Sequence, residues 1–470
     1  MKLNSLLLLL AGPALLGLTL VTTPPLAGMS FAAWHTTGLM LWMVLWWISE
    51  VMPIPVTSIL PMIFIPLLGI ANINAATAPY AHPLIFLFFG GFFLSIAMEK
   101  TGLHQRIALR ALLLVGQKPA AQVAGLMAVT AFLSMWMSNT ATAVMMLPIG
   151  LSMIKMAHAS SQDNFGKAVL LAIAYSASIG GIATLIGTPP NALLAAYLAK
   201  SYQIQISFAD WMLLGVPLAA LMLVICWVWL CKIHFRLPAH SSGQSNLPEE
   251  LRALGPLRAS ESRVLLVFSL AACSWIGQQW LVSITGLPLS DTMIALIAAV
   301  LLFVLPGDKP QQRLLEWQDS QQLPWGVLLL FGGGLSMAEQ IQQTGVADLL
   351  AQQLSLLQGV SPLLILLAVT TLIIFLTEVT SNTATAAAFL PLLGPVAVSM
   401  QLSPLYLVVP AALAASFAFM LPVATPPNAI VFASGKLQIK DMVKAGLVLN
   451  LLGIVAIIAA SHWLAPLLQS

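Results

Sequence analysis

A polar hexapeptide that occurs twice within apolar sequence decides the fold of this chain. Its two copies are Ser138-Asn139-Thr140-Ala141-Thr142-Ala143 and Ser381-Asn382-Thr383-Ala384-Thr385-Ala386. Each copy interrupts an apolar stretch, 122–154 or 361–398, that is too long for one membrane span of about 20 residues. Such a break is tolerated at membrane depth only where the backbone is buried in protein or lines a cavity. We therefore predict two re-entrant hairpins with the polar segments at their tips.

The rest of the chain has the composition of a polytopic membrane protein. Its 470 residues are 59% hydrophobic and 7% charged, whereas soluble domains carry about 25% charged residues. The sequence predicts an all-α membrane protein with about eleven transmembrane helices besides the two re-entrant hairpins. The predicted spans lie near residues 5–22, 31–49, 54–71, 82–98, 168–199, 211–231, 264–283, 292–306, 325–341, 405–433 and 446–466.

The placement of the basic residues predicts the orientation. With a cytoplasmic N-terminus and both hairpins returning to their own side, every one of the 18 Lys and Arg residues except Lys200 falls inside, as the positive-inside rule requires. Treating either hairpin as a single crossing would invert everything after it. We expect the C-terminus outside and the protein in the bacterial inner membrane.

Further motifs recur in the same order in both halves. The first half carries Phe89-Gly90-Gly91, Thr101-Gly102 and Gly187-Thr188-Pro189-Pro190-Asn191, and the second carries Phe331-Gly332-Gly333, Thr344-Gly345 and Ala424-Thr425-Pro426-Pro427-Asn428. The two hairpins enter from opposite sides, so the halves form an inverted repeat, which is typical of secondary transporters. We divide the chain into an N-terminal span (1–30), a first repeat (31–231) with a broken helix at 168–199, a cytoplasmic linker (232–263), and a second repeat (264–470) with a broken helix at 405–433.

The repeated segments have the chemistry of an ion-coupled anion site. A half-helix that begins at a hairpin tip directs its positive dipole end at the tip, which favours an anion. The paired prolines of each Thr-Pro-Pro-Asn motif leave backbone carbonyls free to bind alkali cations. Neither 122–154 nor 361–398 contains Lys or Arg, so we expect bound cations to neutralise the substrate. The alternative, in which these polar residues only join helices, does not explain two inverted copies.

One acidic residue also lies in the second hairpin. Glu378 stands three residues before Ser381, and an intramembrane carboxylate is a functional candidate by default. Proton coupling and a purely structural role both remain open for it.

At these segments the chain resembles the divalent anion:sodium symporter family, whose members carry dicarboxylates, citrate and sulfate. The resemblance covers nearly the whole length and implies an elevator-type transporter, a homodimer and a set of residue roles. The implied substrate-binding residues are Asn139, Thr140, Asn382, Thr383, Thr188, Thr425 and Pro426. The implied sodium ligands are Ser134, Ser138, Asn139, Gly187, Thr377, Thr380, Asn382 and Ala424. Ala424 stands where the first half has Gly187, and a backbone carbonyl ligand tolerates that change.

The expected function is sodium-coupled import of di- or tricarboxylates, above all C4-dicarboxylates such as succinate, malate and fumarate. The alternatives are a sulfate carrier of the same fold, a sodium-independent dicarboxylate exchanger and, more remotely, a membrane-embedded enzyme. Sodium is the expected coupling ion and no other cofactor is expected. The expected partners are the carboxylate substrate, the lipid bilayer and a second copy of the chain, and not nucleic acid.

Overall fold

The computed structural model describes residues 3–116, 118–156, 164–238, 247–309, 311–353 and 360–463. Across these ranges the chain is helical, with one isolated β-bridge between Pro306 and Arg313 and no strand, which confirms the predicted all-α class. Residues 239–246 of the predicted linker and the last three residues of the final predicted span lie outside these ranges. The α-helices are α1 Leu3–Val21, α2 Phe31–Ser49, α3 Ile54–Thr57, α4 Leu60–Leu67, α5 Ile73–Thr77, α6 Pro83–Thr101, α7 Leu103–Leu113, α8 Pro119–Ser134, α9 Asn139–Met156, α10 Asn164–Gly181, α11 Pro189–Tyr202, α12 Phe208–Val228, α13 Leu247–Ala253, α14 Ala259–Ile276, α15 Gln278–Thr285, α16 Asp291–Val304, α17 Trp325–Gln343, α18 Val346–Gln353, α19 Pro362–Thr377, α20 Asn382–Ser399, α21 Leu405–Ala415, α22 Pro426–Ala433 and α23 Ile439–Trp463.

Long apolar helices dominate the described ranges. Six helical segments found there are long and apolar enough to cross a membrane: Phe31–Ser49, Ile73–Thr101, Phe208–His234, Ala259–Ile276, Asn382–Ser399 and Ile439–His462. Further apolar helices, among them α1, α8, α16, α19 and α21, are shorter. Such a set of helices fits an integral membrane protein.

Proline and glycine mark where the helices begin and end. Pro119, Pro189, Pro362 and Pro426 each stand at the first position of a helix, where the missing N–H has no partner to lose and the fixed φ suits the helix. The repeated Thr-Gly pair ends α6 and the turn after α17, because Gly102 and Gly345 adopt the left-handed region with φ of 77° and 80°. A short helix, α7 or α18, follows each of these turns; hydropathy did not predict these two.

Both predicted hairpin stretches are broken at the polar segment. α8 ends at Ser134 and α9 begins at Asn139, while α19 ends at Thr377 and α20 begins at Asn382. The two long predicted spans at 168–199 and 405–433 are likewise broken. The interruption between α10 and α11 covers residues 182–188, and the one between α21 and α22 covers 416–425.

The two halves pack against each other through these broken elements. α22, which begins at Pro426, contacts α9, which begins at Asn139. In the same way α11, which begins at Pro189, contacts α20, which begins at Asn382. The second part of each broken helix therefore packs against the returning helix of the other half's hairpin.

A buried ion pair fixes the chain between the halves. Arg106 on α7 and Glu261 on α14 are 3% and 1% exposed, and their side chains form two hydrogen bonds of 3.0 and 3.1 Å. The Arg106 guanidinium also donates to the carbonyls of Leu254, Gly255 and Pro256. The last part of the predicted linker is thus held against α7 of the first repeat, and α14 begins within that linker, at Ala259.

Candidate functional site

Four groups from the first half meet at the end of α8. The Ser134 hydroxyl lies 2.7 Å from the Asn139 side-chain oxygen position and 2.7 Å from the Ala177 carbonyl oxygen. With its amide turned over, Asn139 donates from nitrogen to the carbonyls of Ala177 and Gly187 at 3.1 and 3.3 Å. In the other orientation the Asn139 side-chain oxygen occupies this point. It then lies together with the carbonyl oxygens of Ala177 and Gly187 and with the Ser134 hydroxyl. Such a cluster is satisfied either by amide hydrogens or by a cation, and uncharged oxygens at an unwound helix are suited to sodium.

The second half repeats three of these four groups. The Thr377 hydroxyl lies 2.7 Å from the Asn382 side-chain oxygen and 3.0 Å from the Ala415 carbonyl oxygen. Thr377 corresponds to Ser134, Asn382 to Asn139, and Ala415 to Ala177. The structure therefore brings together Ser134, Asn139 and Gly187 in one half, and Thr377 and Asn382 in the other.

Each break in a long helix is held by the asparagine of its Thr-Pro-Pro-Asn motif. The Asn191 side-chain nitrogen donates to the carbonyls of Gly181, Ile182 and Thr184 at 3.3, 3.3 and 2.8 Å. Asn428 donates to Ala418 and Leu421 at 3.2 and 3.0 Å. These bonds satisfy carbonyls that the break removes from the helical ladder, and so preserve the unwound shape.

The implied site residues fall into two groups, one exposed or half-buried and the other buried. Thr140 and Pro426 are exposed, and Ser138, Asn139, Asn382 and Thr383 are half-buried. Ser134, Gly187, Thr188, Thr377, Thr380, Ala424 and Thr425 are all buried. Most residues implied to contact substrate are therefore reachable at the hairpin tips, while most implied sodium ligands lie beneath them; Thr188 and Thr425 are substrate-side residues that are buried.

Several implied ligand side chains already have local hydrogen bonds. The Ser138 hydroxyl accepts from the Ala141 backbone N–H at 3.2 Å. The Thr380 hydroxyl lies 2.9 Å from the Leu376 carbonyl and 2.7 Å from the Thr385 hydroxyl. These bonds stabilise the start of α9 and the second tip, and they leave the Thr380 carbonyl, the atom implied as a ligand, outside this pairing.

Sequence reasoning missed the partners that lie on α10 and α21. The carbonyls of Ala177 and Ala415 join the two clusters, and the next residues, Ser178 and Ser416, are 1% exposed. Among the described residues their hydroxyls have no hydrogen-bond partner. The repeated Ala-Ser pair was the one available signal, and it is too common a pair to stand out.

Glu378 does not point toward either cluster. It is 3% exposed, and its carboxylate accepts hydrogen bonds of 2.8–3.1 Å from the backbone N–H groups of Phe419, Met420 and Leu421. The Asn450 side chain on α23 donates a further bond of 2.6 Å. Glu378 therefore ties the second hairpin to the unwound segment 416–425 and to α23.

The N-terminal caps of α11 and α22, the second parts of the two broken helices, differ. We therefore expect substitutions of the two capping threonines to change the stability of the protein by different amounts. The Thr425 hydroxyl accepts from the Asn428 N–H at 3.3 Å, whereas the Thr188 side chain makes no capping bond. Thr425→Val should lower the free energy of unfolding by about 1 kcal/mol, and Thr188→Val, the matched control, by clearly less. Thermal unfolding of the detergent-purified variants measures this; equal losses would contradict the asymmetry.

Comparison with known proteins places this architecture among membrane transporters. The family model described as the sodium:sulfate symporter transmembrane region matches residues 2–470. A protein of Staphylococcus saprophyticus named sodium-dependent dicarboxylate transporter SdcS is 42% identical over 97% of this chain and 91% of its own. The protein of the same name from Staphylococcus aureus strain USA300 is 41% identical over 98% of this chain and 91% of its own. The crystal structure of the Alcanivorax borkumensis YdaH transporter shares the fold, with a TM-score of 0.57 at 12% identity and 98% coverage of both chains.

Proposed function

Since the chain belongs to the sodium:sulfate symporter family, we propose that it imports C4-dicarboxylates such as succinate, malate or fumarate together with sodium ions. The family resemblance seen in the sequence is confirmed, as is the expectation of a transporter rather than a membrane-embedded enzyme. The names of the two staphylococcal relatives favour dicarboxylate over sulfate or citrate as the substrate.

The observation that carries the proposal is the twofold occurrence of one oxygen cluster. A hydroxyl, an asparagine amide and a backbone carbonyl meet at Ser134, Asn139 and Ala177, and again at Thr377, Asn382 and Ala415. Helix association alone does not need the same three-group geometry at both breaks. Two cation sites beside two helix N-termini suit a substrate with two carboxylates.

In the proposed site, the sodium ions bind beneath the substrate. The first sodium ion binds Ser134, Ser138, Asn139 and the Gly187 carbonyl. The second binds Thr377, Asn382 and the carbonyls of Thr380 and Ala424. The substrate carboxylates contact Asn139, Thr140, Asn382 and Thr383, with Thr188, Thr425 and Pro426 nearby. The sodium ions offset the negative charge that uncharged tips can stabilise only in part.

The membrane arrangement is part of the same proposal. The chain is an inverted repeat of 31–231 and 264–470 with a cytoplasmic N-terminus, an outside C-terminus, a homodimeric assembly and an elevator-like movement. The distribution of basic residues supports the orientation. Lys200, the one exception to the positive-inside pattern, is 3.3 Å from the Glu339 carboxylate, so its charge is paired.

Sodium dependence of uptake tests the function. We expect proteoliposomes containing the purified protein to accumulate radiolabelled succinate when an inward sodium gradient is present. Replacing sodium by potassium at equal ionic strength should abolish accumulation, because the uncompensated dianion would have to enter a site without Lys or Arg. Protein-free liposomes control for leakage.

The other functions give different results in the same vesicles. Uptake that persists without sodium and rises when the lumen is preloaded with dicarboxylate would replace the proposal by an exchanger. Sulfate that competes with succinate at equal concentration would shift the substrate class. Sodium-driven accumulation that excess sulfate does not reduce supports a dicarboxylate carrier.

A further inference from the structure

A second polar site, which contains no residue of either hairpin, lies where three helix ends meet. The end of α6, the start of α14 and the loop after α16 surround an open cavity of about 350 Å³. Four cations line it, namely Lys100, Arg258, Lys309 and Arg313, together with one carboxylate, Asp308. Under the proposed orientation this cavity opens to the cytoplasm.

Local partners leave part of this positive charge without an opposite charge. Lys100 pairs with Asp319 at 2.7 Å, and Arg258 lies 3.7 Å from Glu261 and 4.0 Å from Asp308. Among the described residues, Lys309 and Arg313 make no ion pair within 4.0 Å. Arg313 donates to the Val304 carbonyl at 2.7 Å, which orients its guanidinium without neutralising it.

The one carboxylate of the lining is directed at the backbone instead of at these two cations. Asp308 accepts from the Ser260 N–H at 2.9 Å and from the Ser260 hydroxyl at 2.6 Å. These hydrogen bonds hold the pKa of Asp308 below its usual range, so it stays ionised as a cap for α14. The cavity keeps a net positive lining that suits an anion.

The surroundings of the cavity are those of a membrane interface. Trp317 is 66% exposed and Leu257 is 42% exposed, and exposed tryptophan is typical of the headgroup level. Below the cavity, α14 packs on α16, and both helices turn apolar side chains outward, including Leu266 and Val304 at 59% and 57% exposure. An amphiphile could therefore place its charged head in the cavity and its chains along this seam.

We propose that the cavity binds the phosphate of an anionic phospholipid headgroup. Arginine and lysine are the usual phosphate ligands, arginine through its planar fork and lysine as a point charge. Basic pockets between transmembrane helices on the cytoplasmic side bind anionic headgroups in other membrane proteins. A soluble phosphate compound shares this chemistry, but it would gain nothing from the apolar seam.

Thermal unfolding of the detergent-purified full chain tests the proposal, since a ligand that binds only the folded state raises the midpoint. Short-chain phosphatidylglycerol is titrated against phosphatidylcholine of the same chain length and against inorganic phosphate. The variant is Lys309→Glu. The matched control is Lys440→Glu, which makes the same charge change at an exposed lysine on α23.

We expect phosphatidylglycerol, but not phosphatidylcholine, to raise the midpoint of wild type and Lys440→Glu alike. Its apparent affinity for Lys309→Glu should fall about tenfold, which corresponds to about 1.4 kcal/mol. An equal shift from inorganic phosphate, lost in Lys309→Glu, would keep the phosphate site and overturn the lipid source. No shift with phosphatidylglycerol, or an equal shift in both variants, would overturn the proposal. The readout is binding, so the result is independent of the transport function.

Discussion

Gly181→Ala is expected to raise the sodium concentration needed for half-maximal succinate uptake by about 5- to 150-fold. A Cβ at this position would lie 2.6 Å from the Asn139 side-chain oxygen and 3.1 Å from the Gly187 carbonyl oxygen. Asn139 must then rotate out of the first cluster, because the backbone of Gly187 cannot move freely. Overpacking of this kind costs about 1–3 kcal/mol, and about 1.4 kcal/mol corresponds to a tenfold change in affinity.

Gly334→Ala is the matched control for this experiment. Gly334 is also a buried helical glycine, but a Cβ there would have its nearest neighbours at 3.5 and 3.7 Å, which is ordinary contact. Its sodium dependence should equal that of wild type. An unchanged sodium dependence in Gly181→Ala, with protein correctly inserted, would mean that Asn139 and Gly187 do not bind the coupling ion.

The amide of Asn139 offers a physical reason for coupling to be strict. In one orientation its nitrogen donates to the carbonyls of Ala177 and Gly187; in the other its oxygen faces the same point. In the proposed first sodium site the ion would require the second orientation, because a cation binds the amide oxygen and not the nitrogen. If Asn139 binds both sodium and substrate as proposed, ion binding would change the hydrogen-bond donors that this side chain presents to the substrate.

The sequence alone located the hairpin tips and the helix breaks because their polar and proline residues are unusual within apolar membrane spans. Ser-Asn-Thr within apolar stretches and Pro-Pro within predicted spans are costly in a membrane, so their repetition in order indicated a shared purpose. The hydroxyls of Ser134 and Thr377 could be added because four residues make one helical turn.

The partners of these residues could not be predicted in the same way. Ala177 and Ala415 contribute carbonyl oxygens, a group that every residue has, so no residue type marks them. Glu378 binds backbone N–H groups some 40 positions away and Asn450, 72 positions away. The basic cavity joins three helix ends that are distant in sequence. Each of these features depends on tertiary packing and not on local pattern.

The second large effect is expected at Glu378, where the two halves of the molecule differ. The aligned residue of the first half is Met135, whose carbonyl accepts from the Thr184 hydroxyl. The unwound segment 416–425 is longer than 182–188. Among the described residues, the backbone N–H groups of residues 419–421 bind the Glu378 carboxylate and no hydroxyl group. We therefore regard Glu378 as a structural clamp that holds the unwound segment in place beside the second cluster.

Glu378→Ala should therefore reduce sodium-driven uptake by at least about 100-fold, since each buried N–H left without a partner costs about 1–3 kcal/mol. Glu378→Gln, which keeps one acceptor oxygen but turns an NH₂ group toward the donors, should retain a small fraction of uptake. Glu339→Gln, at the partly exposed pair with Lys200, is the control and should transport normally. Uptake is compared per amount of monodisperse protein, so that failure to assemble is separated from failure to transport.

The pH dependence of uptake separates the clamp from proton coupling. Within the described ranges, Glu378 accepts five hydrogen bonds, which Phe419, Met420, Leu421 and Asn450 donate to its oxygens. A proton on the carboxyl group would displace one of these donors and would loosen the unwound segment that directly follows Ala415 of the second cluster. Proton transfer at Glu378 would thus disturb sodium binding in every cycle. Glu378→Gln that transports at the wild-type rate but loses its dependence on pH would contradict this argument and assign the residue to proton movement.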